Sequence, residues 1–194
     1  MTGVQTCALP ISATAADRTA VAAVVGLPLE VDGRRFNVAA VCSGGRVAGI
    51  VPKAFLATRG EFYEARWFSS ARDAVATEAW FRGERVPFGP GLLFEDPAVP
   101  GACLGVEICE DLWAPEPPSG GLAVAGATLI ANPSASDELV GKADYRRALV
   151  AGQSGRLLAA YLYAAAGPGE SSTDLRSGEH TSELQSHVRI SYAV

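Results

Sequence analysis

Cys109 ends a short apolar run, Ala102 to Ile108, and two acids follow it at once in Gly105-Val106-Glu107-Ile108-Cys109-Glu110-Asp111-Leu112-Trp113. An apolar run broken by charge is how a buried strand ends at a sharp turn. A cysteine at such an elbow presents its sulfur at the rim of a sheet, beside backbone N–H groups free to hold an oxyanion. Acyl chemistry is therefore its functional reading. The competing reading is a small core residue, because free cysteine is among the most buried side chains. Lys53 stands directly after another apolar run, and Glu61 brackets the loop beyond it. A solvated strand end is the plain alternative for Lys53. Parallel strands, however, place their C-terminal ends along one rim, where α/β sheets put chemistry, so Cys109, Lys53 and Glu61 are the candidate set.

The surrounding text supplies the elements that would position them. Ala20 to Val25 reads as a buried strand ending in a turn at Gly26-Leu27-Pro28. Asp32-Gly33 is a turn signal, Phe36 to Cys42 a second strand, and Val47 to Val51 a third after the turn Ser43-Gly44-Gly45-Arg46. The aromatic group Phe62, Tyr63, Trp67 and Phe68 is expected in a core. Leu92 to Phe94 reads as a short strand before the run that ends at Cys109. Ala114 to Gly121, with three prolines, reads as a surface loop. Gly126 to Pro133 reads as a buried strand, and Ser134-Ala135-Ser136-Asp137 as the cap of a helix near Lys142 to Leu158. On that helix Tyr145 and Leu149 share a face, with Leu157 and Leu158 extending the apolar side. Tyr161 to Ala166 is expected as a further strand, followed by a loop from Gly167 to Leu175.

At 194 residues, 48% apolar and 19% charged, the chain has the composition of a soluble globular protein. A net charge of −5 gives no basic footprint for nucleic acid or for an anionic membrane. No window approaches a membrane span and no secretory leader is legible, so the expected compartment is the cytoplasm. Cys7, Cys42, Cys103 and Cys109 form neither a CxxC pair nor a metal spacing with His180 and His187. Neither a disulfide framework nor a metal centre is expected.

Taken together, several stretches resemble the nitrilase (carbon–nitrogen hydrolase) superfamily, and more narrowly the glutaminase domains of the glutamine-dependent NAD synthetase family. They are Pro52-Lys53-Ala54-Phe55-Leu56, Glu61 through Phe68, Gly105 through Trp113, Asn132 through Ser136, and Gly167 through Leu175. The resemblance implies an α/β (α+β) fold, a nitrilase-like α-β-β-α sandwich, here incomplete, with a Glu-Lys-Cys catalytic set. Cys109 takes the nucleophile position, Lys53 the lysine position, and Glu61 that of a supporting second glutamate. Glu110 and Ser136 match residues that hold the substrate glutamine. The general-base glutamate of the family would lie upstream of residue 13, and Glu30 stands at the wrong place in the pattern to replace it. Its loss would remove proton transfer contributing about 100- to 10,000-fold.

Residues 1–12 and 176–194 resemble translated sequencing-adapter text, so the expected organisation is a partial glutaminase domain over residues 13–175 between non-native ends. On that expectation the chain is an internal fragment with little turnover of its own. No cofactor is expected within it. The resemblance implies ATP and magnesium in a separate C-terminal synthetase domain, glutamine as substrate, and a homo-oligomeric parent. Another nitrilase-like amidase or carbamoylase, or a non-catalytic module with Cys109 in its core, are the alternatives.

Overall fold

The computed structural model describes residues 21–60, 62–137 and 139–165, together with the backbone of residues 188–191. They fall into two compact units, one formed by the chain up to Thr58 with Tyr63–Leu92, the other by Arg59–Phe62 with the chain from Leu93 onward.

The first unit is built on an antiparallel three-stranded sheet of β1 (Ala23–Val31), β2 (Arg34–Ser43) and β3 (Arg46–Pro52), in that order. Asp32 and Gly33 join β1 to β2 with φ of 50° and 71°, and Gly44 and Gly45 join β2 to β3 with φ of 54° and 75°. Two successive left-handed residues match the twist of a hairpin, which is why these short turns were legible. The expected turn at Gly26-Leu27-Pro28 does not form. β1 runs straight through it, with Pro28 opposite Asn37. Among the described residues β1 lies at the edge of its sheet, where a proline without an N–H is tolerated. β4 (Glu78–Phe81) and β5 (Glu84–Pro87) make a second hairpin. Their Ala79 and Val86 pack with Leu29, Phe36, Val38, Ile50 and Phe88, and the rings of Phe36 and Phe88 meet edge-on at 5.5 Å. The aromatic group expected in a core is only partly so: Tyr63 is 65% and Trp67 60% exposed.

The second unit carries a five-stranded sheet in the order β10 (Val188–Ser191), β9 (Ala160–Ala165), β8 (Leu129–Ser134), β7 (Cys103–Val106), β6 (Leu93–Glu95). β7, β8 and β9 are parallel, and the outer strands run antiparallel to them. The backbone of β10 comes from the stretch expected to be adapter-derived. Helix α1 (Pro118–Val124) links β7 to β8, and α2 (Lys142–Leu157) links β8 to β9. α1 corrects the second half of the expected loop, whose residues 114–117 are irregular as expected. Pro118 occupies the first helical position, whose N–H has no intrahelical acceptor, so the prolines start this helix and do not forbid it.

The cap of α2 also differs from expectation. Gly141, at φ 79°, precedes the helix with no side-chain cap, while Asp137 forms an ion pair with Lys142. Leu158 ends the helix at φ 52° and is 82% exposed, so it does not extend the apolar face. Leu112, Leu122, Ile130, Val150, Tyr161 and Tyr163 form this unit's core.

At Gly105 sheet and helix approach closely. A Cβ there would lie 3.0 and 3.1 Å from side-chain atoms of Leu122 and 3.2 Å from Ile130 Cδ1. Gly105→Ala is expected to cost about 1–3 kcal/mol through overpacking, readable as a lowered midpoint in urea unfolding.

Candidate active site

Lys53 follows β3 and is 2% exposed. Its backbone N–H donates to the Asn37 carbonyl at 2.9 Å, and its own carbonyl accepts from the Ala71 N–H at 2.8 Å, which fixes the chain on either side of the side chain. Nζ reaches Glu64 Oε2 at 2.5 Å. That carboxylate is fully engaged: Oε2 also accepts from the Ala57 N–H at 2.7 Å, and Oε1 from Asn37 Nδ2 at 2.6 Å. A buried ammonium requires such a partner. Glu61, the glutamate singled out from the sequence, lies outside the described residues. Glu64, three positions on in the same Glu61-Phe62-Tyr63-Glu64 stretch, was missed. Its return contact, Glu64 N–H to the Ala57 carbonyl at 3.0 Å, closes the loop after Lys53 around it.

Cys109 lies just beyond β7, at the start of a 3-10 turn spanning Cys109–Trp113. Its φ is 49°, a left-handed conformation in which a side chain bearing a Cβ is strained. The expected elbow is therefore present and sharp. The thiol is free and half-buried, whereas those of Cys42 and Cys103 are buried. Burial pushes both of the latter up from the ordinary thiol value, with Glu95 adding to the rise at Cys103. The turn is braced from both ends. Ile108 N–H donates to Asp111 Oδ2 at 2.8 Å, and Cys109 N–H donates to Asn132 Oδ1 at 2.8 Å. Glu110 is the second residue of the turn, a position whose N–H an intrahelical bond does not reach.

Asn132, at the C-terminal end of β8, is fully buried. Its Nδ2 donates to Tyr161 Oη at 3.0 Å, and the Tyr161 hydroxyl donates in turn to Glu107 Oε1. Glu107 Oε2 accepts from the Ser119 N–H at 2.8 Å, and Ser119 Oγ from Gln153 Nε2 at 2.8 Å. Burial pushes the Glu107 carboxyl up, while Tyr161, Ser119 and Arg156 pull the other way. Burial and the adjacent Glu107 hold the Tyr161 phenol well above its ordinary value. These residues were not singled out from the sequence. The signal was an acid and an amide inside runs apolar enough to be buried, which demands internal partners.

Ser136 is buried, and its Oγ lies 3.5 Å from Arg146 Nη2. Nearby, Tyr163 donates to Ser134 Oγ at 2.7 Å. Burial pushes the Tyr163 phenol up to about 12, and the Cys109 sulfur adds to the rise against Ser134, Arg146 and Ser136. The parallel strands of this unit thus bring Cys109, Ser136 and Tyr163 to one rim. Trp113, on the Cys109 turn, stacks on Tyr145 at 5.6 Å, and Lys142 lies over the Trp113 ring. Glu110 is half-buried on the same turn.

Among the described residues no three His, Cys, Asp or Glu side chains stand together as metal ligands, and no helix is long and apolar enough to cross a membrane.

No family model matches the chain. Among curated proteins it is 49% identical over 152 residues to the glutamine-dependent NAD(+) synthetase of Mycobacterium bovis, covering 78% of this chain and 22% of that protein. The chain thus spans about a fifth of the length of the curated relatives it matches. Among solved structures, a glutamine-dependent NAD(+) synthetase from Cytophaga hutchinsonii superposes with a TM-score of 0.67 at 35% identity, over 80% of this chain and 24% of that one. A Nesterenkonia amidase of the nitrilase superfamily superposes with a TM-score of 0.65 over 94% of this chain and 64% of its own, at 16% identity, a likeness of fold. The chain has the α/β fold of the nitrilase superfamily, and its homologues are glutamine-dependent NAD(+) synthetases.

Proposed function

We propose that this chain is part of the glutamine-hydrolysing portion of a glutamine-dependent NAD(+) synthetase. Cys109 Sγ attacks the carboxamide carbon of glutamine, the carbon–nitrogen bond breaks, and ammonia leaves with the thiol's proton. Water then cleaves the thioester to glutamate and restores the thiol. Proton transfer is the task of a general base that the resemblance assigns upstream of residue 13. The Glu110 N–H is suited to the oxyanion, and the same resemblance gives Lys53 the role of offsetting its charge. Glu110 and Ser136 hold the substrate glutamine in this reading. ATP and magnesium belong to that part of the longer protein which the matched region does not span, as does amidation of nicotinic acid adenine dinucleotide. The parent is a cytoplasmic homo-oligomer in the same reading.

The observation that carries this proposal is the left-handed Cys109 elbow with its free, half-buried thiol. A glutamine-like diazo-ketone tests it. Stoichiometric adduct on Cys109, suppressed by glutamine and absent from Cys42 and Cys103, is the expected outcome. Adduct spread over Cys42 and Cys103 as well, or none at Cys109, would overturn it.

A further inference from the structure

Behind the Cys109 elbow runs a buried hydrogen-bond chain whose direction is imposed from both ends. At one end the Cys109 N–H, and at the other the Ser119 N–H, are backbone donors that cannot turn around. Between them stand Asn132, Tyr161 and Glu107, with exposures of 0%, 0% and 1%. Two fixed donors require an acceptor at each end of the three-residue chain. An amide has one acceptor atom and one donor group, a phenol one proton, and a carboxylate only acceptors. The arrangement that satisfies every atom has Asn132 Oδ1 facing Cys109, Asn132 Nδ2 donating to Tyr161, and the phenol proton donated to Glu107. One carboxylate, at one end, makes the count close.

We propose that Asn132, Tyr161 and Glu107 are positioning residues for Cys109: the polarity of their hydrogen-bond chain holds the amide oxygen of Asn132 under the Cys109 N–H and so fixes the strained elbow that aims the thiol. The inference rests on Cys109 being the nucleophile, and it adds residues that do not touch the substrate. Asp111 braces the turn within its own segment, whereas Asn132 ties the turn to β8. A backbone at φ 49° persists only where its surroundings over-determine it.

Polarity gives a test that simple packing would not pass. In Asn132→Asp two carboxylates converge on the single phenol proton. In Glu107→Gln both amides direct donors at Tyr161, and its proton has no acceptor. Combining the two substitutions reverses the chain: the new amide at position 107 donates to Tyr161, Tyr161 donates to the new carboxylate at position 132, and both backbone donors keep their acceptors. The double variant also returns the buried charge to one carboxylate.

The readout is the second-order rate of Cys109 carboxamidomethylation by iodoacetamide in the full 194-residue chain, followed by peptide mass spectrometry. Cys42 and Cys103 serve as internal controls for unfolding. Each single variant is expected to change the Cys109 rate by about tenfold in one direction or the other, since thiol alkylation follows thiolate fraction and exposure, both of which the elbow sets, and the double variant to return to within about threefold of the unsubstituted chain. Single variants that react at the original rate, or a double variant further from the original rate than either, would overturn the proposal. Should a single variant fail to fold, the double decides alone: folded with the original Cys109 rate supports the chain's polarity, and unfolded refutes it. Iodoacetamide reports on the thiol whether or not glutamine is the substrate. Failure of the functional reading would therefore appear separately, in diazo-ketone labelling of the unsubstituted chain.

Discussion

Glu64→Gln is expected to lower the unfolding free energy by about 3–5 kcal/mol, the cost of removing one partner of a buried ion pair and leaving the other charged. The pair is well enclosed, with Lys53 2% and Glu64 16% exposed. Glutamine keeps the shape of the side chain but replaces one acceptor oxygen by a donor. Three donors converge on the carboxylate, from Lys53, Ala57 and Asn37, so one of them must then face an N–H. Removing the charge on both sides separates electrostatics from shape. Lys53→Met added to Glu64→Gln is expected to recover much of the loss, because the amide of Asn37 can turn its oxygen toward the new amide at position 64 and no ammonium is left stranded. Equilibrium urea unfolding of the two variants and the parent measures both quantities. A Glu64→Gln loss below about 1 kcal/mol would mean that the pair behaves as a solvent-screened surface contact.

That experiment concerns a glutamate which sequence spacing did not select. Glu61 and Glu64 stand in one short stretch, and nothing in residue type separates them. Glu64 is brought to Lys53 by the loop that follows it, which folds back so that Ala57 and Glu64 exchange hydrogen bonds. Spacing along a chain carries no information about how a loop of this kind closes. The hairpins at Asp32-Gly33 and Ser43-Gly44-Gly45 were legible for the opposite reason: their left-handed residues are a local steric requirement written in the residues themselves.

Proline showed both behaviours. Its cost depends on whether the missing N–H was needed, and that is a tertiary fact. Pro28 falls on a strand at the edge of its described sheet and Pro118 at the first position of a helix, so the turn inferred from the first is absent and the loop inferred from the second gives way to helix after residue 117. The apolar runs ending at Cys109 and Pro133 were correctly read as strands. Treating them as runs hid Glu107 and Asn132, whose polar atoms both reach the Tyr161 hydroxyl only when β7, β8 and β9 align in parallel.

The elbow makes a last expectation unusual in sign. In a full-length synthetase carrying this segment, Cys109→Ala and Cys109→Gly should both abolish glutamine-supported turnover, a loss on the order of 10⁴-fold or more for removal of a covalent nucleophile. Activity supported by added ammonia should survive, since that route does not use the thiol. The stabilities of the two variants should differ in the direction opposite to that of an ordinary position. Glycine normally costs about 0.5–1 kcal/mol relative to alanine, because its unfolded chain is freer. At φ 49° alanine retains the clash between Cβ and the following carbonyl, which amounts to about 1–2 kcal/mol, and glycine lacks it. Cys109→Gly is therefore expected to unfold at higher urea than Cys109→Ala while being equally inactive with glutamine. Greater stability of the alanine variant would mean that the backbone at Cys109 is relaxed, and the thiol would then have no strained elbow to aim it.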